Sequence, residues 1–258
     1  MYTLVSEHNE FYRGAVMRFE NKVAIVTGAA LGIGKAAADQ LAAGGATVIL
    51  TDINEETLQS ACEEIRSAGG CAEWMLCDVS DEEQVRRMTA EVEDRFGRID
   101  ILVNSAGIWR IDRGPFVESR SEFWKKKVNI NILGSMYCAH AVLPGMLERR
   151  YGRIINISSV AGVYGIGNMT DYSMTKGAIN GFTLALAKEV TEFGVTVNAV
   201  APGNIITASH ENNNVNLSFA GRSGTAEECA NVICFLASDA ASYVSGQVYQ
   251  VDGCRKKM

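Results

Sequence analysis

The stretch Lys22-Val-Ala-Ile-Val-Thr27-Gly28-Ala-Ala-Leu31-Gly32-Ile33-Gly34 decides the fold. A β-branched apolar run stops at a glycine, two further glycines follow, and an alanine-rich segment from about Ile33 to Ala43 reads as a helix closed by Gly44-Gly45. A strand joined to a helix by a glycine turn presents backbone N–H groups and the positive end of the helix dipole to a phosphate. The spacing is G-x-x-x-G-x-G and not G-x-G-x-x-G, so the turn taken alone reads as punctuation or as a phosphate cradle. Its position after the first strand favours the cradle.

Working outward, the same alternation recurs. Strands are expected at Ala46–Thr51, Trp74–Leu76, Ile101–Val103, Arg153–Ile157, Val195–Val200 and Gly246–Val251. Between them, helices are expected at Glu55–Ala68, Asp81–Phe96, roughly Ser121–Arg149, Asp171–Phe193 and Thr225–Ser238. Strands that are apolar throughout are buried on both faces, as in a parallel sheet covered by helices. The expected architecture is α/β: one doubly wound, Rossmann-type domain over residues 17–258, with a mostly parallel seven-stranded sheet. Residues 1–16 read as a flexible extension, with Met17 a possible alternative start. Residues 203–224 read as irregular, past a strand's carboxyl end, where open α/β sheets bind ligands.

Composition narrows the function. Lysines and arginines number 24 against 30 aspartates and glutamates, a net charge of −6 that argues against nucleic-acid or anionic-membrane binding through clustered cations. No apolar run in the sequence suggests a span of the ~20 residues needed to cross a bilayer. The seven cysteines form no CxxC pair, so neither a metal nor a dithiol is expected, and reduced thiols packed as small apolar groups suit a cytoplasmic protein.

Two further positions bear on chemistry. Asp52 closes the second strand, where a carboxylate can accept hydrogen bonds from adenosine ribose hydroxyls and repel a 2′-phosphate. Leu31 stands in the turn and Ile53-Asn54 follow the acid, leaving Lys35 as the one nearby cation. This pattern favours NAD(H) over NADP(H). The competing reading makes Asp52 a cap for the helix that starts near Glu55. Tyr172-Ser-Met-Thr-Lys176 places a phenol and an ammonium four residues apart, on one face if the segment is helical.

With these residues assembled, the chain resembles the short-chain dehydrogenase/reductase family from about Arg18 to Gly253. Gly28, Leu31, Gly32, Ile33 and Gly34 resemble its cofactor turn, and Asn104-Ser-Ala106-Gly107 its segment after the fourth strand. Tyr172 and Lys176 resemble its catalytic pair. Ser159, thirteen residues before Tyr172, and Asn131 resemble the other two catalytic residues. Pro202-Gly203-x-Ile205-x-Thr207 resembles the nicotinamide segment, and Asp78-Val79 the adenine-contacting pair, although Asp78 reads equally as a cap before Glu82.

The resemblance implies hydride exchange between a nicotinamide and a carbinol carbon. Tyr172 would be the acid/base, its phenolate stabilised by Lys176 and the nicotinamide ring. Ser159 would hold the substrate oxygen, Lys176 would bridge the nicotinamide ribose, and Asn131 would anchor a proton-relay water. Trp109, Tyr164, Met169 and Asn204 are candidates for the substrate wall. The leading expectation is an NAD(H)-dependent oxidoreductase interconverting a secondary alcohol and a ketone. Its alternatives are an NADPH-dependent 3-oxoacyl-carrier-protein reductase and an NAD-binding sensor without turnover. The family also implies a homotetramer, through the helices at about 121–149 and 171–193 and through the last strand. Where many relatives carry a longer, partly helical cover, Ala208–Ala220 is short, which suggests an open site tolerant of bulky or polymer-attached substrates.

Overall fold

In the computed structural model of the protein, residues 17–109, 112–207 and 214–256 are described. The proposed extension at 1–16 and residues 208–213 of the short cover therefore lie outside the described residues.

The chain alternates as expected. The first half runs β1 (Val23–Thr27), α1 (Gly32–Ala43), β2 (Thr47–Asp52), α2 (Glu55–Ser67), β3 (Cys71–Leu76) and α3 (Glu82–Phe96). The second begins with β4 (Ile101–Asn104), then α4 (Ser121–Lys127), a π-helical segment (Val128–Gly134) and α5 (Ser135–Arg149). It continues through β5 (Gly152–Ile157), α6 (Ala161–Tyr164), α7 (Thr170–Val190) and β6 (Val195–Pro202). Short strands β7 (Ile205–Ile206) and β8 (Gly224–Thr225), helix α8 (Ala226–Ala237) and β9 (Val248–Val251) complete it.

Seven strands form one sheet in the order β3-β2-β1-β4-β5-β6-β9, and every pairing is parallel. The order reverses between β1 and β4, so their carboxyl ends diverge into a crevice there. Each face carries its own core. Leu41, Val26, Val48 and Ile233 belong to one cluster, with α1, α2 and α8; Ile25, Leu102, Val142 and Val197 belong to the other, with α3, α5 and α7. The fully buried β1, β4, β5 and β6 explain the unbroken apolar runs in the sequence.

Three elements differ from the sequence reading. β3 begins at Cys71, three residues before the expected Trp74, because it is an edge strand. Its mixed exposure needs few apolar residues, so only its end stood out. The long helix is continuous from 121 to 149 but passes through the π segment. It is the one helical run among the described residues that is long and apolar enough to cross a membrane, where the sequence reading saw none. Here its Cys138, Ala139, Val142 and Met146 are buried in the second core cluster. Finally, the irregular 203–224 stretch contains the two-stranded β7–β8 ribbon.

All seven cysteines are free thiols, and burial raises those of Cys77, Cys229 and Cys234 to about 11, 12 and 12. His140 is exposed.

Candidate active site

The β1 turn is shaped by close approach. Gly28 and Gly32 both adopt φ +63°, a region that L side chains disfavour. A Cβ on Gly34 would stand 2.2 Å from the Gly28 carbonyl oxygen, and one on Gly28 would stand 2.8 Å from the Ala106 backbone. Thr27 Oγ1 accepts the Ser105 and Ala106 N–H groups, both at 3.0 Å, tying the end of β1 to the segment after β4.

α1 then opens at Leu31 without a side-chain cap and without an acid in its first turn. Three other helices are closed by side chains: Asn54 caps α2, Asp81 caps α3, and Thr225 caps α8 in a reciprocal box with Glu228. Asp52 and Asp78 therefore do not cap the helices that follow them. Asp52 Oδ1 accepts Ile53 N–H at 2.7 Å, and Oδ2 accepts Ala30 N–H at 3.3 Å, which anchors the carboxylate to the turn. Asp78 accepts the Ser80 hydroxyl at 2.7 Å. Lys35 is held by Asp39 at 2.7 Å and Glu64 at 3.1 Å.

A cleft of about 1230 Å³ runs from these residues along the carboxyl ends of the strands. Gly28, Leu31, Gly32, Ile33, Asp52, Asp78, Val79, Ala106 and Gly107 line it at the turn and the neighbouring loops. Ser159, Tyr172, Lys176, Pro202, Gly203, Ile205 and Thr207 line the remainder, joined by Trp109, Met169 and Asn204.

Four expected residues, Gly34, Asn104, Asn131 and Tyr164, do not line it. Gly34 sits behind the turn that it lets close. The Asn104 amide is buried in the sheet, donating to Ser135 O at 3.2 Å and Asn156 Oδ1 at 2.9 Å, so it supports the fold and does not face a ligand. Tyr164 is exposed outside the cleft with its hydroxyl on Gln250, which corrects its assignment to the substrate wall.

The other end of the cleft is built from side chains on α7, in the π segment and just past β5. Lys176 Nζ donates to Ile157 O at 2.6 Å and lies 5.9 Å from the Tyr172 ring centroid. The side chain of Asn131 lies in the π segment and is fully engaged. Its Oδ1 accepts Ile108 N–H at 2.8 Å, and its Nδ2 donates to Ile108 O at 2.9 Å and Thr175 Oγ1 at 3.1 Å. Thr175 Oγ1 in turn donates to Tyr172 O at 2.9 Å. Ser159 is buried just past β5 and its Oγ accepts Ala161 N–H at 3.1 Å.

A second tie was absent from the sequence reading. Lys127, at the end of α4, pairs with Asp171 at 2.5 Å, both buried, while Asp171 Oδ1 accepts the Tyr172 N–H at 2.7 Å. Four residues separate Lys127 from Asn131 and four separate Asp171 from Thr175, so the two elements are stapled twice, one helical turn apart.

Burial acts on the pair in opposite senses. It raises the Tyr172 phenol above its ordinary range, and a hydrogen bond with Ser159 draws it back only in part. It lowers the Lys176 ammonium to about 8. Burial by itself therefore favours the neutral hydroxyl of Tyr172 over the phenolate.

A family model described as enoyl-(acyl carrier protein) reductase matches residues 28–254. The 3-oxoacyl-[acyl-carrier-protein] reductase FabG of Thermotoga maritima is 42% identical over 244 residues, covering 92% of this chain and 98% of the relative. The short-chain reductase protein NovJ of Streptomyces niveus is 41% identical over 250 residues, 92% of this chain and 94% of the relative. Among solved structures, levodione reductase superposes with a TM-score of 0.87 at 34% identity, covering 92% of this chain and 98% of the other.

Fold and site together define a Rossmann-type oxidoreductase acting between CH–OH and C=O. The chain belongs to the short-chain dehydrogenase/reductase family.

The residues present fit that family's nicotinamide dinucleotide. The uncapped first turn of α1 leaves N–H groups available to a pyrophosphate, the turn has no Cβ at its closest approach, and the Asp52 carboxylate lines the adjoining wall.

Proposed function

We propose that this protein reduces the ketone of a 3-oxoacyl group to the secondary alcohol, reversibly, with NAD(H) as its dinucleotide. The observation that carries the reduction is the neutral, buried Tyr172 hydroxyl beside Ser159 at the end of the cleft. The 3-oxoacyl choice draws support from relatives of that name at 38–43% identity over nearly the whole chain.

When bound, the dinucleotide supplies a hydride. The chain supplies everything else. Ser159 and Tyr172 hydroxyls orient the carbonyl oxygen, and Tyr172 gives that oxygen its proton as charge builds. Lys176 holds its ammonium at the buried end of the cleft, where it stabilises the phenolate left behind and engages the nicotinamide ribose. Asn131, bonded to Ile108 and Thr175, braces the segment after β4 against α7 beside Lys176.

The NAD(H) choice rests on Asp52. Its carboxylate lines the cleft with Leu31 and Ile53 as neighbours, and Lys35 is already neutralised by Asp39 and Glu64. A 2′-phosphate there would meet a like charge and, among the described residues of that wall, no free cation.

The test is reduction of an acetoacetyl thioester with each dinucleotide. NADH is expected to give a kcat/KM at least ~10-fold above NADPH, and Asp52→Ala to erase most of that margin. Preference for NADPH by the unaltered protein would replace this reading with the NADPH-dependent 3-oxoacyl-carrier-protein reductase. Tight NADH binding with no turnover of any ketone would favour a sensor. The free thiols accord with the cytoplasm, and a tetramer through α5 and α7, where Met136 and Leu184 are exposed, is proposed with it.

A further inference from the structure

The carboxyl-terminal residues past β9 fold back over the cleft. Gly253 and Cys254 both take left-handed backbone, φ +59° and +57°, and reverse the chain after Asp252. The tail then runs against residues 217–220. Phe219 N–H donates to Cys254 O at 2.9 Å, Ala220 N–H to Gly253 O at 3.0 Å, and Lys256 N–H to Leu217 O at 3.0 Å. Ser218 and Arg255 form an antiparallel bridge, and the Lys256 ammonium lies 5.4 Å from the Phe219 ring centroid.

This strap brings Arg255 into the wall of the cleft beside Leu217 and Asn214. Arg255 is half-buried and forms no ion pair among the described residues. A guanidinium placed in a partly dry wall without a carboxylate has desolvation to recover from a ligand. Arg113, in the loop whose Gly114 N–H donates to Asn168 O at 3.2 Å, also lines the cleft without a described acidic partner. Five basic and three acidic side chains line the cleft of a chain whose net charge is −6, so the positive excess is local. Asp52 and Asp78 account for two of the three acids and sit at the β2 and β3 ends, away from the strap.

From this arrangement we infer that Arg255 is a specificity-determining residue, selecting substrates that carry an oxyanion, carboxylate or phosphate, away from the reacting carbonyl. The inference rests on the proposed ketone reduction for the word substrate, but the binding it asserts is measured without turnover.

Calorimetry on the protein loaded with NAD+, which has no hydride to give a ketone, tests it with two matched pairs: acetoacetate against acetoacetamide, and pantetheine 4′-phosphate against pantetheine. The anionic member of at least one pair is expected to bind about ten-fold tighter, with Arg255→Ala removing the margin and Arg255→Lys keeping part of it. Discrimination in the phosphate pair alone identifies a carrier arm as the source of the charge; discrimination in the carboxylate pair alone identifies a free oxo acid.

Equal affinities within both pairs, or a margin that survives Arg255→Ala, overturns the inference. So does a variant whose main loss is NADH affinity, because Arg255 would then belong to the dinucleotide. Turnover of the acetoacetyl thioester is followed in parallel. Turnover without the margin removes this inference alone, and the margin without turnover removes the 3-oxoacyl reading alone.

Discussion

The two ends of the cleft are made from different materials. The dinucleotide end is backbone: three glycines, an uncapped helix and one carboxylate tied to the turn. The reaction end is side chain: Ser159 after β5, Asn131 in the π segment, and Tyr172 and Lys176 on α7 are locked by hydrogen bonds and a buried ion pair. A backbone site tolerates no added atoms but needs no exact functional group beyond its amides. A side-chain site depends on individual polar atoms and on what fixes them. Damage at one end should therefore leave the other intact.

Tyr172→Phe separates them most sharply. Removing the proton donor should lower kcat by ~10³-fold while NADH affinity, read by fluorescence titration, stays within a factor of two. A parallel fall in affinity would mean that the ends are not separable.

The converse change is Leu31→Asp. A carboxylate at the N-cap of α1 should close the helix and raise stability by ~1 kcal/mol, as Asn54, Asp81 and Thr225 do for their helices. The same carboxylate occupies the amides that a pyrophosphate would use, so NADH affinity should fall ~10-fold with kcat at saturation little changed. Thermal melting and cofactor titration on one preparation report both.

The smallest effect concerns pH. Below about 8 Lys176 carries its charge, and above that value it loses it; Tyr172, raised by burial, keeps its proton throughout this range. Reductive kcat/KM should be level on the acid side and decline several-fold on going from pH 7 to 9.5, and Lys176→Met should flatten the profile at a low value. A profile rising over that interval would show that the ammonium is not the active form.

The same contrast explains what the sequence disclosed. Gly28, Gly32 and Gly34 stood out because only glycine fits their backbone and spacing, and the β1, β4, β5 and β6 runs because burial on both faces leaves an unbroken apolar signal. Tyr172, Lys176, Ser159 and Asn131 were found by resemblance in spacing; nothing in their local sequence reports burial. The π turn around Asn131 was not legible, since its residues suit an ordinary helix. Edge strand β3 was cut short by its mixed faces. Lys127 and Asp171, forty-four residues apart, had no local signal of pairing. Tyr164 was misplaced because an aromatic near Ser159 in sequence turned outward on the short α6.

The Lys127–Asp171 pair also constrains how this protein can be re-engineered. Either charge left alone in that interior would cost about 3–5 kcal/mol. A chimera that takes α4 from one parent and α7 from another must therefore carry both positions across together, even when every residue of the reaction centre itself is preserved.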